Sequence, residues 1–108
     1  MCLRWCGGPF LSVRTSEPEF EEIDQLAVFD SSEWAERGFC RVCGTNISYH
    51  VKGTDQYSMN SGTFDDASTF EMVGEVFVDE KPTSYDFAGD RPRMTGAEVI
   101  AKFKDSGD

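Results

Sequence analysis

The residues best equipped for chemistry are Cys40 and Cys43, in the run Phe39-Cys40-Arg41-Val42-Cys43-Gly44-Thr45. Two thiols three residues apart on a tight turn can face one metal ion together, and Gly44 relieves the backbone just behind the second thiol. Such a knuckle is half of a tetrahedral site, which takes four ligands. The other sulfur donors are Cys2 and Cys6, and the single histidine is His50. Cys40, Cys43, Cys2 and Cys6 are therefore the candidate metal ligands, with zinc as the expected cofactor. A knuckle short of partners predicts substoichiometric zinc that a chelator removes easily. Two other readings of Cys40 and Cys43 stay open, a redox dithiol and a bare turn. A reactive Cys-x-x-Cys usually opens a helix that lowers the thiol pKa, whereas this one leads into a strand pattern.

Other residue types invite weaker chemistry. Asp65 and Asp66 form a carboxylate pair of the kind used in acid–base catalysis, but after Gly62-Thr63-Phe64 they more simply cap a turn. The alternation in Asn46-Ile47-Ser48-Tyr49-His50-Val51 puts Ile47, Tyr49 and Val51 on one strand face and Ser48 and His50 on the other, which predicts a solvent-facing His50. Trp5 and Trp34 are expected to anchor the core.

The elements that position these groups follow from local pattern. Phe10, Leu11 and Val13 predict a strand over about residues 9–14, entered through Gly7-Gly8-Pro9. The acidic run from Glu17 to Asp24 reads as a solvated edge or loop, and Leu26-Ala27-Val28-Phe29 as a short strand. Asp30-Ser31-Ser32-Glu33 has the form of a helix N-terminus, predicting one or two turns through Trp34-Ala35-Glu36-Arg37 that stop at Gly38. Residues 46–51 and 56–60 form a hairpin around Lys52-Gly53-Thr54-Asp55, and 61–66 breaks regular structure. Residues 70–78 predict another extended run with Gly74 as a bulge, ended by Asp79-Glu80-Lys81-Pro82. An irregular segment carrying Tyr85, Phe87, Pro92 and Met94 follows, expected to wrap the core. Thr95-Gly96-Ala97-Glu98 is a capping box for a terminal helix whose apolar face is Val99, Ile100 and Phe103. The sum is a mainly β chain of short antiparallel strands with two short helices.

Composition bounds the function. A chain of 108 residues suits a single domain, 1–108, and 39% hydrophobic and 13% aromatic content suffices for a packed interior. Twenty acidic against ten basic residues leave a charge of −10, which repels phosphate backbones and anionic lipid. No nucleic-acid partner and no membrane partner is expected. No apolar run approaches spanning length and the N-terminus lacks a signal-peptide core, so the expectation is cytoplasmic. In a reducing compartment the four cysteines read as metal ligands or free thiols rather than disulfides.

Four blocks together carry a resemblance: Cys2-Leu3-Arg4-Trp5-Cys6-Gly7-Gly8-Pro9-Phe10, Ser32 to Thr45 through the knuckle, Gly62-Thr63-Phe64-Asp65-Asp66, and Phe77-Val78-Asp79-Glu80-Lys81-Pro82. In this order they resemble the glutathione-dependent formaldehyde-activating enzyme family, which includes centromere protein V. The resemblance implies a β-tent of two small antiparallel sheets and a zinc-dependent carbon–sulfur lyase acting on a thiol adduct, with a small thiol or thiol adduct as ligand. In the family an N-terminal Cys-x-Cys joins the later Cys-x-x-Cys, here Cys40 and Cys43, around a structural zinc. A Cys-x-Cys-x-x-Cys triple is associated with the catalytic zinc, and Cys2 stands where its last cysteine falls. Leu3 replaces an arginine, and Cys6 stands where a small or hydroxyl residue is usual. By this comparison the chain starts inside the domain, so catalytic degeneracy is expected, with a non-catalytic binding or self-association module as the alternative. A start inside the domain would expose a strand edge, and a homodimer through Phe10-Leu11-Ser12-Val13 or Leu26-Ala27-Val28-Phe29 is expected.

Overall fold

The computed structural model describes residues 2–105; Met1, the start on which the expectation of truncation turns, lies outside the described residues. The chain divides into two compact units, Met1–Phe70 and Glu71–Asp108. It is mainly β, with a larger and a smaller sheet and two helices.

The first unit is built on a five-stranded sheet in the order β1-β5-β4-β3-β2, comprising β1 (Ser12–Ser16), β2 (Leu26–Asp30), β3 (Ala35–Cys40), β4 (Asn46–Val51) and β5 (Gln56–Asn60). All neighbours are antiparallel. The β4–β5 hairpin turns through Gly53 at φ 82°, a left-handed conformation that costs glycine little, and the Thr54 hydroxyl closes the turn on the Val51 carbonyl at 2.7 Å. A one-turn helix α1 (Cys2–Cys6) covers one sheet face: the Arg37 guanidinium lies 4.9 Å from the ring centres of both Trp5 on α1 and Tyr49 on β4. The loop before β2 covers the other face, where Phe20 meets Tyr57 edge-on and Tyr57 stacks on His50 with centroids 4.0 Å apart.

The second unit pairs β6 (Glu75–Val76) with β7 (Arg93–Met94), and this small sheet is parallel rather than the antiparallel arrangement the resemblance implies. Helix α2 (Gly96–Asp105) begins as expected: Thr95 Oγ1 accepts from the Glu98 N–H at 3.2 Å and Glu98 Oε1 accepts from the Thr95 N–H at 2.9 Å, the reciprocal capping box.

Several expectations are corrected. The helix through Trp34-Ala35-Glu36-Arg37 is not formed; Trp34 lies in the turn between β2 and β3, and Ala35, Glu36 and Arg37 open β3. The serines that resemble a helix cap instead close the β2–β3 hairpin, with Ser32 Oγ accepting from the Ala35 N–H at 3.2 Å and the Ser32 N–H donating back to the Ala35 carbonyl at 3.3 Å. Ser/Thr side chains satisfy nearby backbone groups in either setting, so the local motif does not choose between them. Gly38 is mid-strand rather than a helix stop, because a Cβ there would lie 2.5 Å from Ser48 Oγ and 3.1 Å from Leu26 Cδ1. Trp34, on the hairpin tip, is 66% exposed rather than a core anchor. The extended run over 70–78 shrinks to the two residues of β6, and Gly74 has no ladder in which to form a bulge. Asp66 does cap a turn, accepting from the Ser68 N–H at 3.0 Å.

Candidate functional site

The knuckle joins the end of β3 to the start of β4. The Gly44 N–H donates to the Cys40 carbonyl at 2.7 Å and the Cys40 N–H to the Thr45 carbonyl at 2.9 Å, while Gly44 takes φ 81°. These bonds close the turn that carries both thiols. Arg41 ties the turn to the preceding loop: its N–H donates to the Gln25 carbonyl at 2.8 Å and its Nη2 to the Leu26 carbonyl at 3.2 Å. Cys40 is half-buried beside a cleft of about 130 Å³ that Phe20, Leu26 and Ile47 also line, whereas Cys43 is exposed. Thr45 Oγ1 lies 3.0 Å from Cys43 Sγ. Its hydroxyl, with backbone N–H groups and the Cys40 thiol, holds the Cys43 thiol below the usual cysteine range. Thr45 escaped the reading from sequence; a hydroxyl two residues beyond the second cysteine was the available signal.

Cys2 and Cys6 form a second, separate pair on α1. Arg37 Nη1 donates to Cys2 Sγ at 3.4 Å, and Asn46 Nδ2 approaches Cys6 Sγ at 3.9 Å. Burial pushes the Cys6 thiol up, and the neighbouring Cys2 adds to the rise. Arg37 is only 6% exposed, its Nε has no hydrogen-bond partner, and no carboxylate pairs with it among the described residues. That buried positive charge beside Cys2 opposes a metal cation there.

His50 does not face solvent. Its side chain is 13% exposed, Nδ1 lies 2.7 Å from Glu36 Oε1, and Nε2 lies 2.7 Å from the Thr54 carbonyl. Strand alternation misplaced it because β4 is the middle strand of the sheet and is covered on both faces. With both ring nitrogens engaged, neither is open to a metal.

The four candidate ligands thus lie in two pairs. A structural zinc takes four protein donors and a catalytic zinc three with one open position. Among the described residues no group of three or more His, Cys, Asp or Glu is disposed to hold a metal ion, so the donor set does not fit either kind of zinc centre.

The class these observations define is a mainly β protein carrying a two-thiol knuckle. No protein-family model matches the chain, and no solved structure matches it. A protein of Schizosaccharomyces pombe named as an uncharacterized lyase is 33% identical over 101 residues, covering 92% of this chain and 74% of that relative. The chain belongs to the family of that lyase. No helix among the described residues is long and apolar enough to cross a membrane.

Proposed function

We propose that the chain belongs to the formaldehyde-activating, centromere-protein-V-like branch of this lyase family and is catalytically degenerate toward carbon–sulfur chemistry in the form described. The observation that carries the reading is the separation of the thiols into two pairs without a third donor at either. Lewis-acid zinc that polarises a thiol–carbonyl adduct needs three protein ligands and a defined open position. At the knuckle zinc would meet two sulfurs and exchangeable water, and would leave readily to a chelator. The expected outcome is that the purified chain, supplied with zinc, breaks down the glutathione–formaldehyde adduct no faster than free zinc in buffer. A zinc-dependent rate above that background, lost in Cys2→Ala, would overturn the reading.

The alternative role, self-association, is favoured by β2. Among the described residues this strand pairs only with β3, and Val28 and Phe29 on it are 54% and 52% exposed. A second copy of the chain is the partner that fits such an edge. Four free thiols suit a reducing, cytoplasmic setting.

A further inference from the structure

We propose that His50 is held as an imidazolium and acts as a proton-dependent latch, fastening the β4–β5 turn and the loop before β2 to the sheet while it is charged and loosening them when it is neutral. Its two contacts define the state. Glu36 Oε1 lies 2.7 Å from Nδ1, and the Thr54 carbonyl oxygen lies 2.7 Å from Nε2. A neutral imidazole has one N–H and one lone pair. The Thr54 carbonyl can only accept a hydrogen bond, and so can an ionised carboxylate, so the two contacts together require a proton on each nitrogen. The second proton lies between Nδ1 and Glu36 and belongs to the imidazole, the more basic of the two groups in water.

The neighbours suit that charge. Glu36, His50, Tyr57 and Thr15 are successive partners across β3, β4, β5 and β1, one row of the sheet. On the β5 side the Tyr57 ring lies within 4° of parallel to the imidazole, and an aromatic face attracts a cation. Thr15 beyond it carries no charge. On the β2 side Asp30 stands opposite Glu36, but its carboxylate pairs with Lys52 at 3.0 Å, which leaves Glu36 to His50. In the turn, the Asp55 carboxylate accepts from Gln56 Nε2 at 3.2 Å. From the loop before β2 the group that meets this row is Phe20, edge-on to Tyr57, while Glu19 and Glu21 beside it line a cleft. With the His50 side chain 13% exposed, water is a poor substitute for either of its bonds.

What the latch holds follows from the connections. Thr54 sits in the turn that its own hydroxyl closes, and the Asp55 carbonyl of that turn accepts from the Glu17 N–H at 2.9 Å, where the loop before β2 begins. Glu17 at φ 47° and Glu22 at φ 52° are both left-handed, a conformation that costs a residue with a side chain and persists where the surroundings hold it. When His50 loses a proton, a lone pair faces an oxygen and one of the two bonds is forfeited. The stack on Tyr57, against which Phe20 rests, weakens with it. The inference goes beyond the degenerate-lyase reading and does not depend on it, since neither adduct turnover nor its absence bears on the state of His50.

The test uses the full chain, labelled with nitrogen-15 and freed of any histidine tag; His50 is then the single histidine, and its ring signals are unambiguous. Long-range proton–nitrogen spectra at neutral pH should show both ring nitrogens protonated. As pH is raised until His50 is neutral, amide exchange at Glu17 and Thr54, corrected for its intrinsic rise with pH, should quicken about tenfold, the factor expected for one charge-assisted hydrogen bond. The Val99 amide, bonded to the Thr95 carbonyl in the second unit, should keep its protection. In Glu36→Gln the new amide can donate to Nδ1, so His50 should be neutral with its proton on Nε2 at neutral pH, and the step in exchange should vanish. A neutral His50 in the parent at neutral pH, an imidazolium that keeps its proton until the chain unfolds, exchange at Glu17 and Thr54 that ignores the loss of the proton, or an imidazolium that persists in Glu36→Gln would each overturn the inference.

Discussion

At the scale of the residue, charge is disposed differently in the two units. Arg37 in the first unit is flanked by aromatic rings and a thiol, a setting in which its flat, weakly hydrated guanidinium can be buried where a lysine could not. Glu75 in the second unit has the opposite arrangement, one carboxylate against Arg91 at 2.7 Å and Arg93 at 3.0 Å. The hydrogen bond from Arg91 chiefly, with the charges of both arginines, holds the Glu75 carboxyl below the usual carboxylate range. A carboxyl depressed by folding contributes stability that is fully present above its unfolded pKa, about 4.3, and is lost as pH falls through the lower folded value. Glu75→Gln should therefore destabilise the β6–β7 pair by the same amount from neutral pH down to about 5, the difference shrinking below about 4.3. Amide exchange at the Glu75 N–H, bonded to the Pro92 carbonyl at 3.0 Å, reports this locally. A mutant effect that grows on acidification would refute the assignment.

At the scale of the element, the sequence was legible wherever a local pattern had one structural use. The Leu26 strand, the 46–60 hairpin and the Thr95–Glu98 capping box were readable because periodicity, a turn glycine and a reciprocal cap each specify one geometry. The Asp30–Glu33 signal misled because serine hydroxyls cap helices and hairpins alike, and only the β2–β3 pairing decides. His50 and Ser48 misled because polar alternation reports a solvated face only when nothing covers it. The half-site at Cys40 and Cys43 was legible from spacing; the separation of Cys2 and Cys6 from it depends on where α1 packs, which spacing does not encode. Gly38 gives this scale its prediction. In Gly38→Ala the new Cβ would have to displace Ser48 Oγ and Leu26 Cδ1, both inside the sheet. The expected cost is about 1–3 kcal/mol by denaturant titration, as for other overpacked sites. Adding Ser48→Gly should recover most of the loss, and a Gly38→Ala protein as stable as the parent would show that the close approach is not maintained.

At the scale of the whole molecule, the sheet has two edges, and they differ in what they offer a second copy. β1 reads Ser-Val-Arg-Thr-Ser with its exposed positions polar, including Ser12 and Arg14 nearby on the strand, a sequence that discourages pairing. β2 presents Val28 and Phe29 on opposite faces of one strand, so a partner strand added there would cover apolar surface on both sides while satisfying unpaired backbone groups. Antiparallel pairing of β2 with its symmetry mate about Val28 sets Leu26 opposite the partner's Asp30. The knuckles, which lie beside Leu26 through the Leu26–Cys40 register, then fall at opposite ends, so this dimer does not unite them into a four-sulfur centre. Five residues of strand bury less than the roughly 1,200–2,000 Å² of a stable interface, and each chain carries −10, so the dimer should be weak and should strengthen as salt screens the repulsion. Light scattering across micromolar concentrations should show a monomer–dimer equilibrium that shifts toward dimer between low and moderate salt. Phe29→Lys, which places a charge on the edge without touching the core, should abolish it with unchanged circular dichroism, whereas Ser12→Lys on β1 should not. Dimers that persist in Phe29→Lys and vanish in Ser12→Lys would move the interface to β1, and a strict monomer at moderate salt would remove β2 as a docking edge altogether.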